Sequence, residues 1–381
     1  MSVGDVYQAQ MEEYRDADTG GLVRRLTGDG SDNAHLYFTS TSFVGEDADR
    51  VILSSDRAGG RAYFLLEVAK ARMVQVTEAS ERGFSQACLD PAGRLFHFDG
   101  RTLQVTELSA LESEDLYRVP EGFRPALPTC TAAGDYVAFA YVERTPVSTE
   151  TGAIYSTMAE RYYQHPCCVI VRVDTRSGEA MAVWGERNWI SHVVIHPADP
   201  DLILFCHEGG RHVSQRMWTV DAGEQQARRA RPLFRQHHGE ACCHEYFTRD
   251  GDVGFQCNVT GGAEALAFNC FVRPDGTWLR QFLLPGPRPG HIQSNSDNTL
   301  VVGDCGYRSP DDAEGRAFMS LIEHRNGRGV VTRLCRHDTS WERQISHPHP
   351  IFSPDDRWAL FSSDQGGACN VYMADVTSVE G

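Results

Sequence analysis

Short apolar stretches alternate with polar turns along the whole chain, and one layout recurs. "CLDPAGRLFHFD", "VIHPADPDLILFCHE", "YFTRDGDVGFQC" and "IFSPDDRWALFSSD" each give an apolar stretch, a tight turn, then a second apolar strand ending near Phe or Cys. Weaker copies are "SFVGEDADRVILSSD", "TCTAAGDYVAFAYV" and "HIQSNSDNTLVVGD". Asp, Gly and Pro supply the reversal of a β-hairpin, and the flanking alternation supplies its strands. A second strand pair follows each copy, as in "RAYFLLEVAKARMVQVTE". Seven units start near residues 37, 84, 124, 189, 241, 286 and 346. Four short strands repeating every ~40–50 residues predict an all-β fold, a seven-bladed β-propeller.

The last unit stops after "NVYMADV", one strand short. "TGGLVRRLT", near the start, reads as the outer strand of a blade, and donating it would close the ring and remove an open edge. Residues 1–381 are therefore expected to form a single domain, with segment 1–36 carrying the closing strand. A two-domain arrangement is disfavoured because no linker breaks the repeat. The third unit carries an extra stretch, "TPVSTETGAIYSTMAERYYQH", expected to form a loop or short helix on one face.

"QISHPHPIF", Gln344 to Phe352, departs from the apolar pattern. Pro348 and Pro350 lack an N–H, which excludes a helix interior and a central strand. The innermost strand of a blade pairs on one side only and tolerates them. Residues i and i+2 of a strand share a face, so His347 and His349 are expected to aim together, with Gln344 at the strand entry. His192, His244 and His291 fall at the same place in preceding units, so imidazoles from four successive blades would converge at one end of the channel.

Composition sharpens this picture. The formal net charge is −16, from 36 basic and 52 acidic residues, which repels nucleic acid and anionic membrane. A polyanionic substrate would need a local cation or a metal. The start of the chain is polar and acidic, without the basic and apolar regions of a signal peptide, and no apolar run is long enough to span a membrane. The 12 cysteines show no zinc-type pairing and read as reduced, buried thiols, which points to the cytoplasm.

Two readings of the histidines compete: polar lining satisfied by water, or ligands of one ion. Repetition at the blade period favours ligation. Gln344, His347, His349 and His291 would form a neutral donor set, leaving a divalent cation most of its charge and open positions for a substrate carboxylate. Arg216 in "VSQRMWTVD" and His244 are the next candidates, with a surface salt bridge as the alternative for Arg216. His192, His207 in "LFCHEGG" and His337 in "CRHDTSW" are weaker substrate-binding candidates or structural hydrogen bonders. A glycosidase would need two facing carboxyls. Glu208 and Glu245 adjoin histidines, but strand alternation would turn them to the opposite face. No GxSxG elbow and no GxGxxG strand–helix unit is present.

In "YRDADTGGLVRRLT", "HPADPDLILFCHEGGRHVSQRMW", "CHEYFTRDG", "RHDTSW" and "QISHPHPIFSPDDRWALFSSD" the chain resembles the oligogalacturonate lyases, seven-bladed propellers that cleave short pectin fragments by β-elimination. The resemblance implies a manganese ion on His291, Gln344, His347 and His349, with His244 as catalytic base and Arg216 as catalytic arginine. It also implies an oligogalacturonate substrate and a 4,5-unsaturated product. The substrate carboxylate would be bound by the cation, the C5 proton taken by His244, and developing charge stabilised by Arg216. Cys243 stands where the family pattern has glycine, and Tyr246–Phe247 replaces Phe–Trp, which bears on substrate preference. A uronide-binding sensor without catalysis, or a metal-dependent lyase for another uronate sugar, are the alternatives.

Overall fold

The computed structural model describes residues 2–80, 86–151, 155–223, 229–260, 265–285, 288–305 and 317–379. Its strands fall into seven antiparallel blades in chain order. The innermost strands are Asn33–His35, Ala87–Leu89, Thr129–Cys130, Ile190–Ile195, Glu240–Phe247, Pro289–Ser294 and Ile351–Phe352. These match the expected units. The starts placed near residues 84 and 286 lie outside the described residues. Blades 5 and 6 also touch at their outer edges through one parallel pair, Leu283 with Arg328.

The pattern of apolar residues explains the packing. Strands such as Arg50–Ser55 and Leu202–His207 are buried nearly throughout, because a middle strand is covered by a neighbouring blade on both faces. Aromatic side chains fill the wedges between blades. Phe98 of blade 2 meets Phe139 of blade 3 edge-on at 5.0 Å. All twelve cysteines are free thiols, nine of them buried. Among the described residues, no helix is long and apolar enough to cross a membrane.

Blade 7 closes as expected. Its C-terminal strands Trp358–Gly366 and Ala368–Asp375 are joined by Leu22–Arg25, with Val23 opposite Ala374. Glu12–Arg15 adds a fifth strand outside it. Val23 and Leu26 are fully buried, and Thr27 Oγ1 donates to Asn370 Oδ1 at 2.9 Å. The blade 3 insertion contains one short helix, Met158–Tyr163, as its sequence suggests.

One expectation is corrected. His347 and His349 do not lie on a strand. A single 3-10 turn, Gln344–Ser346, leads into them, and pairing begins only at Ile351. His349 has a φ of +44°, a left-handed conformation rare for a residue with a side chain. Pro348 and Pro350 have no N–H to give a ladder. The two imidazoles converge because the chain bends, not because a strand alternates.

Candidate functional site

Three inner strands share a defect at the same height, and the site is built on it. In blade 4 the register slips between Ile190 and Val193, in blade 5 between Cys243 and Tyr246, and in blade 6 between Pro289 and Ile292. Each slip sets two residues against one on the next strand. Ser191–His192 stands against Cys206, His244–Glu245 against Phe255, and Gly290–His291 against Asp304. Such β-bulges re-aim side chains that a regular strand would alternate. His244 takes a φ of +56° in its bulge. Gly290 gives its own bulge room, since a Cβ there would stand in tight contact, 3.1 Å from both Asp304 Oδ1 and the Trp341 ring.

The bulges deliver His291 to the bend that holds His347 and His349. Donor nitrogens of these three buried imidazoles all lie within 4.8 Å of one another. The His291 ring centre is 4.1 Å from that of His349 and 5.6 Å from that of His347. His291 Nδ1–H donates to Asp304 Oδ2 at 2.7 Å, which orients the ring and leaves Nε2 as the nitrogen available to an ion. Asp304 also accepts the His291 backbone N–H and a backbone bond from His349. His35 Nε2–H donates to the His349 carbonyl at 2.9 Å, fixing the bend from blade 1. Phe38 forms the floor, its ring 5.9 Å from those of both His244 and His291 and stacked 6.2 Å from that of His349.

Burial keeps the cluster neutral. It pushes His291 down to about 3 and His347 down to about 4, and holds His349 and His244 well below the usual histidine range. Burial raises the Asp304 carboxyl to about 7. Three neutral imidazoles, one oriented by a carboxylate, fit a divalent transition metal. Gln344 sits in the turn before His347, its carbonyl accepting the His347 N–H at 3.3 Å.

The His244 ring lies beside this group, 4.3 Å from that of His291, and its Nδ1 stands 3.5 Å from Gln256 Oε1. A polar chain lies on its other side. Tyr37 O–H donates to His192 Nε2 at 3.1 Å, and His192 Nδ1–H donates to Glu245 Oε1 at 3.0 Å. Arg216 Nε–H donates to Glu245 Oε2 at 2.9 Å, and one terminal nitrogen reaches Glu208 Oε1 at 3.4 Å. Burial alone would raise the Glu245 carboxyl, but Arg216 and His192 hold it well below the carboxylate range. Arg216 is a buried, fixed cation rather than a surface ion pair, with only 7% of its surface exposed.

The sequence profile of the oligogalacturonate lyase family matches residues 1–379. The chain belongs to that family. Oligogalacturonate lyase from Dickeya dadantii (strain 3937) is 29% identical over 99% of this chain and 98% of that protein. Oligogalacturonide lyase from Pectobacterium atrosepticum shows the same identity and coverage. Among solved structures, an oligogalacturonate lyase in complex with manganese superposes with a TM-score of 0.87, at 29% identity over 98% of each chain. The oligogalacturonate lyase of Vibrio parahaemolyticus also gives 0.87, at 27% identity over 98% of this chain and 99% of that one.

The fold of this oligogalacturonate lyase family member brings His192, Arg216, His244, His291, His347 and His349 to one end of the channel. His207 is bonded to Glu186 at 2.7 Å. His337 donates to the Cys305 carbonyl at 2.8 Å and accepts the Thr339 N–H, so both ring nitrogens serve the backbone. The exclusion of Glu208 and Glu245 by strand alternation is corrected, since the bulge at His244 turns Glu245 inward and both carboxylates grip Arg216. Asp304, Tyr37 and Phe38 also escaped the sequence reading. A period-two pattern conceals a bulge, and only the "HE" dipeptides beside Arg216 carried a signal.

Proposed function

We propose that the chain is a metal-dependent oligogalacturonate lyase acting on short uronate oligomers by β-elimination, and that residues 1–381 form one propeller domain around a single site. The observation that carries this reading is a neutral imidazole, His244, set between a three-imidazole cluster and a carboxylate-locked arginine. His291, His347 and His349, with Gln344, would hold the ion, taken as manganese from the family. When bound, it supplies a Lewis acid for the uronate carboxylate and so acidifies the C5 proton.

The chain's own groups do the rest. His244 is neutral across the physiological range, because burial keeps the proton off it, and it accepts the C5 proton. Arg216 has donors engaged by Glu245 and Glu208. Its remaining N–H groups, on both terminal nitrogens, meet the charge that develops on the carboxylate and the departing glycosidic oxygen. The elimination uses no added water and no carboxyl pair. The free thiols support a reducing compartment, and we place the enzyme in the cytoplasm.

Incubation with di- and trigalacturonate, followed by ultraviolet absorbance of the conjugated double bond, tests this directly. Absorbance should rise with metal present and stop after chelation. Binding of both sugars without the chromophore would identify a uronide sensor instead.

A further inference from the structure

We propose that Tyr155, carried to the channel mouth by the blade 3 insertion, is an aromatic subsite for the uronate ring next to the one whose carboxylate is bound. This rests on the uronate-binding reading above. The insertion joins Tyr136–Glu143 to Cys168–Asp174, both in blade 3. Yet the Tyr155 ring stands 6.4 Å from that of His347, which belongs to blade 7. The insertion therefore reaches the cluster from a distant part of the ring.

It is braced within itself and tied to blade 4. The Glu160 carboxylate accepts the backbone N–H groups of Ser148 and Thr149 at 2.9 and 2.8 Å. The Tyr162 ring stacks on His212 of blade 4 at 5.9 Å, and Tyr163 O–H and His212 Nδ1 are 3.2 Å apart. Tyr155 keeps 48% of its surface exposed and has a φ of +64°. A bulky residue in that conformation costs about 1–2 kcal/mol, which the fold tolerates only where the surroundings fix it. His244, Trp341 and His349 of the site share this conformation, as do turn residues elsewhere such as the exposed Trp278.

The chemistry fits a sugar. At net charge −16 the chain offers a polyuronate little attraction beyond the site's own cations. The second ring can gain affinity through its C–H face, and an exposed phenol beside the cluster is a surface suited to it.

The test uses metal-loaded protein in the His244→Ala background, where turnover is blocked, with galacturonate and digalacturonate titrated calorimetrically. Tyr155→Ala should weaken digalacturonate about 10-fold, equivalent to roughly 1.4 kcal/mol, and leave galacturonate within about two-fold. Tyr155→Phe should recover most of the loss, since the ring face and not the hydroxyl makes the contact. Metal content and melting temperature should match the parent. Equal weakening of both sugars, or loss of metal, would overturn the subsite and make Tyr155 a support for His347. Unchanged digalacturonate affinity would overturn it outright. Wild-type protein that binds digalacturonate in this Tyr155-dependent way without forming the chromophore would sink the lyase reading alone.

Discussion

His244 and His349 sit within one cluster, yet the proposed roles separate them cleanly. His349→Ala removes a donor to the ion, so metal content and β-elimination should fall together. His244→Ala removes only the acceptor for the C5 proton. Elimination should drop by roughly 10²–10⁴-fold with metal content unchanged, as measured by elemental analysis beside the absorbance assay. Loss of metal in His244→Ala would move that residue into the ligand set. Glu245 makes a third case. It fixes both Arg216 and the His192 tautomer, so Glu245→Gln keeps the shape but gives Arg216 and His192 an amide in place of a shared anion. A fall in kcat of about 10²-fold is expected, with metal retained, because a displaced guanidinium misses the charge that develops in the transition state.

At the scale of elements, the bulge in three neighbouring inner strands is the working unit. It explains why so much of the fold was legible in the sequence and a particular part of the site was not. The blades were readable because apolar alternation and Asp-Gly-type turns act locally. The histidines were readable because they recur at the blade period. Which bulge position each occupies was not readable. Glu245, rather than His244, is the structural counterpart of His192 and His291, a displacement of one residue that strand periodicity cannot register. The prolines around His347 announced an irregular edge, while its left-handed bend at His349 is a tertiary outcome held by His35 and Asp304. A second element-scale prediction concerns His324, on the blade 6 strand Phe318–Arg325, whose ring stacks on Phe282 of blade 5 at 4.0 Å. Burial pushes it down to about 4 from an unfolded value near 6.5. Below pH 6.5 the unfolded chain gains a proton that the folded chain refuses, so stability falls as pH drops from 6.5 towards 4. Denaturant titrations across this range should show His324→Phe flattening the slope by at most about 1.4 kcal/mol per pH unit.

For the whole molecule, ring closure is the term to test. Leu26 is fully buried beside Leu360 and Met373, and its N–H donates to the Val371 carbonyl at 2.8 Å. Leu26→Ala should lower stability by about 2–5 kcal/mol, read as a shift in denaturant midpoint. The seam also touches the site, because His35 holds His349 across the same junction. Metal affinity should therefore weaken in that variant well before the protein unfolds. Unchanged affinity at the denaturant concentration where the seam opens would show that the cluster stands independently of closure.

The closing strand also sets an order of events in the cell. Thr27 finds its partner Asn370 343 positions away, so this segment cannot take its place in blade 7 until Asn370 has been made. His347 and His349 likewise follow the residues of six blades in the order of synthesis. A chain cut short one blade early would lack both imidazoles, and under the proposed ligand set it should capture no ion. Metal capture would then report a closed ring, and truncated chains that end before His347 should acquire none.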